Sequence, residues 1–281
     1  MMTGKLYVVG TPIGNLNDFS KRGIETLDKV DFIAAEDTRV SVKLLNRFNI
    51  KKPMISYYEH NIRERGQIIV DKILAGESCA IISDAGMPCI SDPGEDLVRL
   101  CHEVGVTVEP IPGPTAALTA LAVSGQTTSR FSFEGFLSTK SSSRKEHLEE
   151  VKNNKNTMIF YEAPHKLYKT LKDMYSVFGE RSITIARELT KIHEEVFKTT
   201  LSKALEVYAE REPKGEFVLI ISGKSVDDRE TVSIVQAVSM VARLVQEGES
   251  LTNASKQIAK ISGFAKSELY KLYLSKKEND I

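Results

Sequence analysis

Ile81-Ile82-Ser83-Asp84-Ala85-Gly86-Met87-Pro88-Cys89-Ile90-Ser91-Asp92-Pro93-Gly94 is an apolar run that breaks without transition into a loop of Gly, Pro and Asp. The chain opens the same way, Leu6-Tyr7-Val8-Val9 running into Gly10-Thr11-Pro12-Ile13-Gly14-Asn15. The design returns a third time, where Val108-Glu109-Pro110-Ile111 meets Pro112-Gly113-Pro114-Thr115. Short Val/Ile runs with such punctuation read as buried strands of a parallel sheet. Their loops then lie at the carboxyl edge, where open α/β sheets bind ligands. Three loops meeting there predict a pocket lined largely by backbone groups.

What these loops lack narrows the ligand. No Gly-rich turn closed by a Lys-Ser/Thr pair is present, and Gly10 and Gly14 alone do not make a dinucleotide fingerprint. Pro12, Pro88, Pro93, Pro112 and Pro114 remove backbone donors that a phosphate cradle would use. A ligand with few phosphates and mixed donors and acceptors fits better, and S-adenosylmethionine is one such molecule. Ordinary βα turns would read alike singly; three in one domain favour the functional reading.

The 281 residues, 41% of them hydrophobic, are enough for two domains with real cores. Cys79, Cys89 and Cys101 lack paired-ligand spacing, which points to a reducing compartment without disulfides, and His102, His147 and His193 lack metal-ligand spacing, so no metal is expected. No apolar run approaches a membrane span and no N-terminal signal is read, so a cytoplasmic protein is expected. Lys+Arg and Asp+Glu both number 38, so any basic surface must be local.

Apolar runs and helical spacings alternate along the chain. Strands are expected at 5–10, 31–35, 54–58, 78–83 and 106–111, with helices over Ser20–Leu27, Thr38–Phe48, Asn61–Ala75 and Gly94–Glu103. A small-residue helix at 112–125 should pack closely on a neighbouring layer. A second α/β set follows, with strands near 131–136, 156–161, 182–187, 194–200 and 217–222 and helices near 143–153, 164–177 and 201–210. Beyond a polar break at Asp227–Arg229 only helical patterns remain, at 231–247, 251–262 and 266–275. The expected division is an N-terminal α/β domain at 1–113, a second at 114–224, and a helical module at 230–281.

Seven motifs in order carry a family resemblance. They are Gly10-Thr11-Pro12-Ile13-Gly14-Asn15-Leu16, Ala35-Glu36-Asp37-Thr38-Arg39, Tyr58-Glu59-His60-Asn61 and Ser83-Asp84-Ala85-Gly86-Met87-Pro88. Pro112-Gly113-Pro114-Thr115-Ala116, Tyr161-Glu162-Ala163-Pro164-His165 and Ala186-Arg187-Glu188-Leu189-Thr190-Lys191 complete the set. Together the motifs resemble the tetrapyrrole methylase superfamily, in its ribosomal RNA branch. The resemblance implies two α/β domains of that type with S-adenosyl-L-methionine in the cleft between them. It further implies methyl transfer to a cytidine 2′-hydroxyl in the decoding region of 16S ribosomal RNA in the small ribosomal subunit, by a homodimer; the apolar helical surface around 112–125 could contribute to that pairing.

Carried over by position, the resemblance assigns the cofactor to Pro12 and Ile13, to Ser83, Asp84 and Gly86, and to Thr115 and Ala116. Tyr161, Glu162 and Leu189 would close over it from the second domain. Two departures stand out: Ile13-Gly14-Asn15 replaces Pro-Gly-Asp, and the loop after Asp84 is one residue longer.

A sulfonium is already an activated methyl donor, so in-line placement of the acceptor supplies most of the rate. The hydroxyl must still lose its proton, and Asp37, Glu188 and Lys191 are the candidates to assist. Asp37 doubles as an expected helix N-cap. Arg187 and Lys191, at the end of a buried-type strand, are read as solvated cations able to hold a phosphate. Arg39, His60 and Asn61 are further substrate candidates, as are Lys140 and Arg144 in the cationic stretch Ser138–Lys145.

The segment Leu251–Ile281 carries six lysines against Glu268, Glu278 and Asp280, a formal +3, and its spacing with Gly263 at the turn resembles a small helix-turn-helix. Tyr270 and Tyr273 could stack on bases, although their helical spacing favours core packing. Two other functions share parts of this pattern: methylation of a small tetrapyrrole-type molecule, and RNA binding without catalysis.

Overall fold

A computed structural model describes residues 3–224 and 234–279. The chain divides into two compact units, Met1–Gly223 and Lys224–Ile281. The expected break at Asp227–Arg229 lies outside the described residues.

The first unit begins with a five-stranded parallel sheet: β1 (Lys5–Val9), β2 (Phe32–Ala35), β3 (Met54–Ser56), β4 (Cys79–Ile82) and β5 (Thr107–Ile111), in the order β3-β2-β4-β1-β5. Helices α1 (Lys21–Lys29), α2 (Thr38–Arg47), α3 (Ile62–Leu74) and α4 (Glu95–Glu103) connect the strands. Alternation explains the two-sided cover. Leu6, Val8, Phe32, Ala34, Cys79 and Ile81 point to one face and meet Ile69, Ile73, Leu97 and Cys101 of α3 and α4. Val9, Ile33, Ala35, Ala80 and Ile82 point to the other and meet Leu27 and Leu45 of α1 and α2. Cys79 and Cys101 are fully buried, and burial raises both thiols.

The same unit continues through α5 (Ala116–Val123) into a second sheet of order β6-β7-β10-β8-β9. Its strands are β6 (Phe131–Phe136), β7 (Thr157–Glu162), β8 (Ser182–Arg187), β9 (Glu195–Thr200) and β10 (Phe217–Ile221). Only β6 and β7 run parallel; the other pairs are antiparallel. One face buries α6 (Ser141–Val151), α7 (Leu167–Phe178) and α8 (Leu201–Glu210) around Leu148, Leu171, Met174 and Leu201. The other buries α5, whose Ala117, Ala120 and Leu121 lie against Ile159, Ala186, Val218 and Ile220. The expected close packing of small residues is therefore spent on this sheet.

Among its described residues the second unit has three helices, α9 (Ile234–Gln246), α10 (Leu251–Ser262) and α11 (Lys266–Asn279), around Val238, Val241, Ala254, Ile258 and Leu269. Ser250 caps α10 at its start, and Gly263, at φ +78°, ends it in the left-handed conformation that favours glycine. Tyr273 packs against this core, and both it and Tyr270 are half-buried.

The stretch Ser138–Lys145 corrects an expectation. Ser141, Ser142 and Ser143 start α6, and Arg144 is not a free cation but a buried one, 5% exposed. Its guanidinium pairs with Asp173 at 2.6 Å and donates to the Ser138 and Thr139 carbonyls at 3.0 and 3.2 Å. Arg144 therefore ties α6 to α7 and is unavailable to a substrate. Removing one partner of a buried pair strands the other charge. Arg144→Ala should lower stability by about 3 kcal/mol, softened where Lys145, 3.7 Å from Asp173, can move in. Lys140→Ala, on the exposed cap, should leave stability unchanged; denaturant unfolding of the two variants checks the contrast.

Candidate active site

The three Gly/Pro loops meet at the carboxyl edge of the first sheet, and backbone groups join them. Thr11 N–H donates to the Gly86 carbonyl at 2.9 Å, and Gly10 N–H to the Ile111 carbonyl at 3.1 Å. The Thr11 hydroxyl, fully buried, reaches the Ser83 and Gly86 carbonyls at 3.3 Å. At Gly86, φ is +85°, and a Cβ there would meet Ile13 at 3.2 Å and the Pro114 carbonyl at 3.4 Å. The loops thus close on each other with room for backbone and little else.

Between them and the second sheet opens a cavity of about 390 Å³, within the range of small-ligand sites. Eight of the ten expected cofactor residues line it: Ile13, Asp84, Gly86, Thr115, Ala116, Tyr161, Glu162 and Leu189. Pro12 and Ser83 do not; Ser83 is buried and its hydroxyl lies 3.4 Å from the Ala85 and Gly86 carbonyls, shaping the loop from behind. Thr115 is the N-cap of α5, its hydroxyl accepting from Leu118 N–H. The Tyr161 hydroxyl accepts from Ala117 N–H at 3.1 Å, so strand β7 and helix α5 are fixed to each other at the cavity. The Glu162 carboxylate is engaged in structure: it meets Lys166 at 2.9 Å and accepts from Thr170 and from Ala163 N–H.

The candidates for proton transfer sit elsewhere. Asp37 is the N-cap of α2 and holds Arg39 at 2.6 Å; those hydrogen bonds pull its carboxyl down to about 2. Glu188 is lowered by its hydrogen bond with Lys191, which in turn bridges Glu188 and Glu216 at 2.8 and 3.0 Å. Asp37, Glu188 and Lys191 are not among the lining residues, although Glu216 is. Lys191 thus reaches the wall only through Glu216. Arg187 corrects another expectation: it is no solvated cation, but pairs with Glu195 at 3.0 Å and donates to the Lys214 carbonyl at 2.8 Å.

The structure brings forward carboxylates that the sequence reading passed over. Glu36 and Asp92 line the cavity with Asp84, and burial is the largest cause raising all three; Asp92 and Asp84 raise Glu36 further by charge repulsion. Glu36 had a readable signal. If Asp37 is spent as a cap, the residue before it is the one left at the strand end.

Of the outer substrate candidates, Arg39, His60 and Asn61 follow β2 and β3 at the edge of the first sheet, and Lys140 follows β6 of the second. Asn61 accepts from Tyr58 N–H at 2.9 Å and donates to the Ser56 carbonyl at 3.0 Å, so it builds the turn after β3. That turn carries His60 edge-on to Tyr58, ring centroids 6.1 Å apart. Arg39 and Lys140 are exposed. No group of ligands suited to a metal is found among the described residues, and none of their helices is long and apolar enough to cross a membrane.

Residues 5–205 match the family described as Tetrapyrrole (Corrin/Porphyrin) Methylases. A relative from Synechocystis sp., named Ribosomal RNA small subunit methyltransferase I, is 47% identical over 272 residues, covering 96% of this chain and 98% of its own. A relative of the same name from Thermotoga maritima is 45% identical over 221 residues, 79% of this chain and 99% of its own. Among solved structures, diphthine synthase superposes with a TM-score of 0.60 at 13% identity, covering 79% of this chain and 91% of that one. Uroporphyrin-III-C-methyltransferase from Thermus thermophilus does so at 0.55 and 15%, covering 78% and 94%. These structural likenesses show the fold.

S-adenosylmethionine is the methyl donor of such enzymes, and the cavity fits it. Ile13, Ala116, Leu189 and Val218 offer apolar wall, while Glu36, Asp84 and Asp92 offer acceptors to hydroxyl, amino and cationic groups. A Cβ at Gly86 would press on this cradle. By the match along residues 5–205 and by relatives close to half identical over nearly its whole length, the chain belongs to the tetrapyrrole methylase family.

Proposed function

We propose that this chain methylates the 2′-hydroxyl of a cytidine in the decoding region of 16S ribosomal RNA, acting on the small ribosomal subunit as a cytoplasmic homodimer. The observation that carries the reading is the near-full-length identity to the Synechocystis enzyme of that general activity, joined to a cavity of matching chemistry.

When bound, S-adenosylmethionine supplies an activated methyl group, which leaves the protein to place and deprotonate the acceptor. A base needs a pKa near the working pH, and Asp37 and Glu188 are displaced away from it. Glu36 and Asp92 are displaced toward it, and both line the cavity. Glu36, which the Asp92 and Asp84 charges raise further, is then the candidate to take the hydroxyl proton. Lys191 and Arg187 act as positioning residues, holding the β8–β9 turn that carries Leu189.

The helical unit supplies added grip on RNA. The Thermotoga relative aligns over 221 residues at 99% of its own length, too few to include both units of this chain. Methyl transfer then belongs to the two-sheet unit, and the +3 segment after Leu251 contributes phosphate contacts.

Three measurements check this reading. Ala116→Leu puts a larger side chain into the cavity wall and should weaken S-adenosylmethionine binding at least tenfold in calorimetry, with the unfolding temperature little changed; unaltered affinity would remove the cofactor from this cavity. Transfer of tritiated methyl to small subunits should fall on acidification, because the base must be unprotonated. Asp92→Asn removes a charge that raises Glu36, so the acid limb should move to lower pH. A chain ending at Gly223 should still bind S-adenosylmethionine but methylate subunits poorly and with a shallower salt dependence; full activity would deny the helical unit its RNA role.

A further inference from the structure

Strand β6 contains one residue too many for its partner. Phe133 pairs with Ile159, but Gly135 pairs with Phe160 and Phe136 with Tyr161, so Glu134 is the extra residue of a bulge. In a regular strand, residues three apart point to opposite faces. Here Phe133 and Phe136 stand opposite Ile159 and Tyr161, which are two apart and share a face. Gly135, at φ +64°, makes the turn-over. A bulge of this kind re-aims a side chain, often beside a site.

What the bulge re-aims is Phe136, onto the rim of the cavity. Its ring centroid lies 5.4 Å from that of Tyr161 at 62°, and the Lys166 ammonium lies 5.8 Å from its centroid. Tyr161 and Lys166 are themselves tied down, by Ala117 N–H and by Glu162 and the Leu137 carbonyl. The ring is thus held in place, yet 57% of Phe136 is exposed. Ile90, from the β4–α4 loop of the other sheet, lines the same cavity and is 59% exposed. One exposed apolar side chain needs no explanation. Two at one acid-lined cavity, from two sheets and one of them placed by a bulge, form a built feature.

We propose that Phe136 and Ile90 clamp the base of the target nucleotide, the aromatic ring on one face and the isoleucine on the other. The proposal rests on the ribosomal RNA reading and says how the acceptor is held. A 2′-hydroxyl inside a helix cannot enter a cavity between two sheets unless its nucleotide leaves the stack, and a base drawn out of its stack is held between aromatic and apolar side chains. Stacking tolerates any base, so the clamp fixes position, while identity is read at the base edge.

The test is methyl transfer to small ribosomal subunits, with S-adenosylmethionine affinity measured separately by calorimetry. Phe136→Ala and Ile90→Ala should each raise KM for subunits about tenfold, with cofactor affinity within twofold of wild type, and Phe136→Tyr should restore the wild-type KM. Gly135→Ala has open space around its new methyl but is strained at φ +64°, and should mimic Phe136→Ala with the unfolding temperature lowered by only about 2–4 °C. Wild-type kinetics in Phe136→Ala would overturn the clamp while leaving the RNA reading intact. So would an equal loss of cofactor affinity, which would put the ring on the cofactor. Failure of the wild-type protein to methylate subunits would instead overturn the RNA reading, and the clamp with it.

Discussion

The site depends on two loops crossing at the thickness of bare backbone. A Cβ on Gly10 would lie 2.7 Å from the Gly113 Cα, and a Cβ on Gly113 would lie 2.8 Å from three Gly10 backbone atoms. No side chain fits there, and backbone cannot move aside as a flexible side chain would. The crossing sets where the exit of β1 meets the exit of β5, and so where Ile13 stands relative to Thr115 and Ala116. Thr11, locked to Gly86, draws in the third loop. One steric constraint thereby assembles three sequence segments, spread over about a hundred residues of chain, into one wall.

The opposite wall is fastened to the first by a second close contact. Asn15 N–H donates to the Thr190 hydroxyl at 3.1 Å, and a Cβ on Gly14 would collide with Lys191 and Thr190. The turn that makes this contact is strained: Glu188 and Thr190 have φ of +50° and +65°, at a cost of about 1–2 kcal/mol each. Hydrogen bonds from Thr190 N–H to Glu194 and from Glu188 N–H to the Glu216 carbonyl offset it, together with the Lys191 bridge. Ion pairs of this partly exposed kind stabilise little in general. Their work here is geometric, holding Leu189 at the cavity.

How much of this was legible follows from what each residue's signal is. Buried parallel strands ending in Gly/Pro loops were readable because local pattern and tertiary role coincide, and the three-loop pocket followed from them. Roles that depend on a partner distant in sequence were not. Arg144 reads as one cation in a Ser/Lys stretch, and only Asp173, on another helix, makes it structural. Arg187 and Lys191 read as free cations because the Lys214 carbonyl and Glu216 come from another segment, and because a turn is needed to bring the nearby Glu195 and Glu188 onto them. Phe136 was hidden for a different reason: a bulge breaks the alternation by which strand faces are read.

The electrostatics of the cavity constrain how a nucleic acid can approach it. Glu36, Asp84 and Asp92 line the wall, and burial already disfavours their charged forms. A phosphate brought among them would meet repulsion with little water to screen it. On the proposed RNA reading the backbone therefore passes outside, with the sugar and base entering, and the exposed Arg39 and Lys140 suit that outer path. Arg39 is already oriented by Asp37, so its guanidinium loses less freedom on meeting a phosphate than an untethered lysine would.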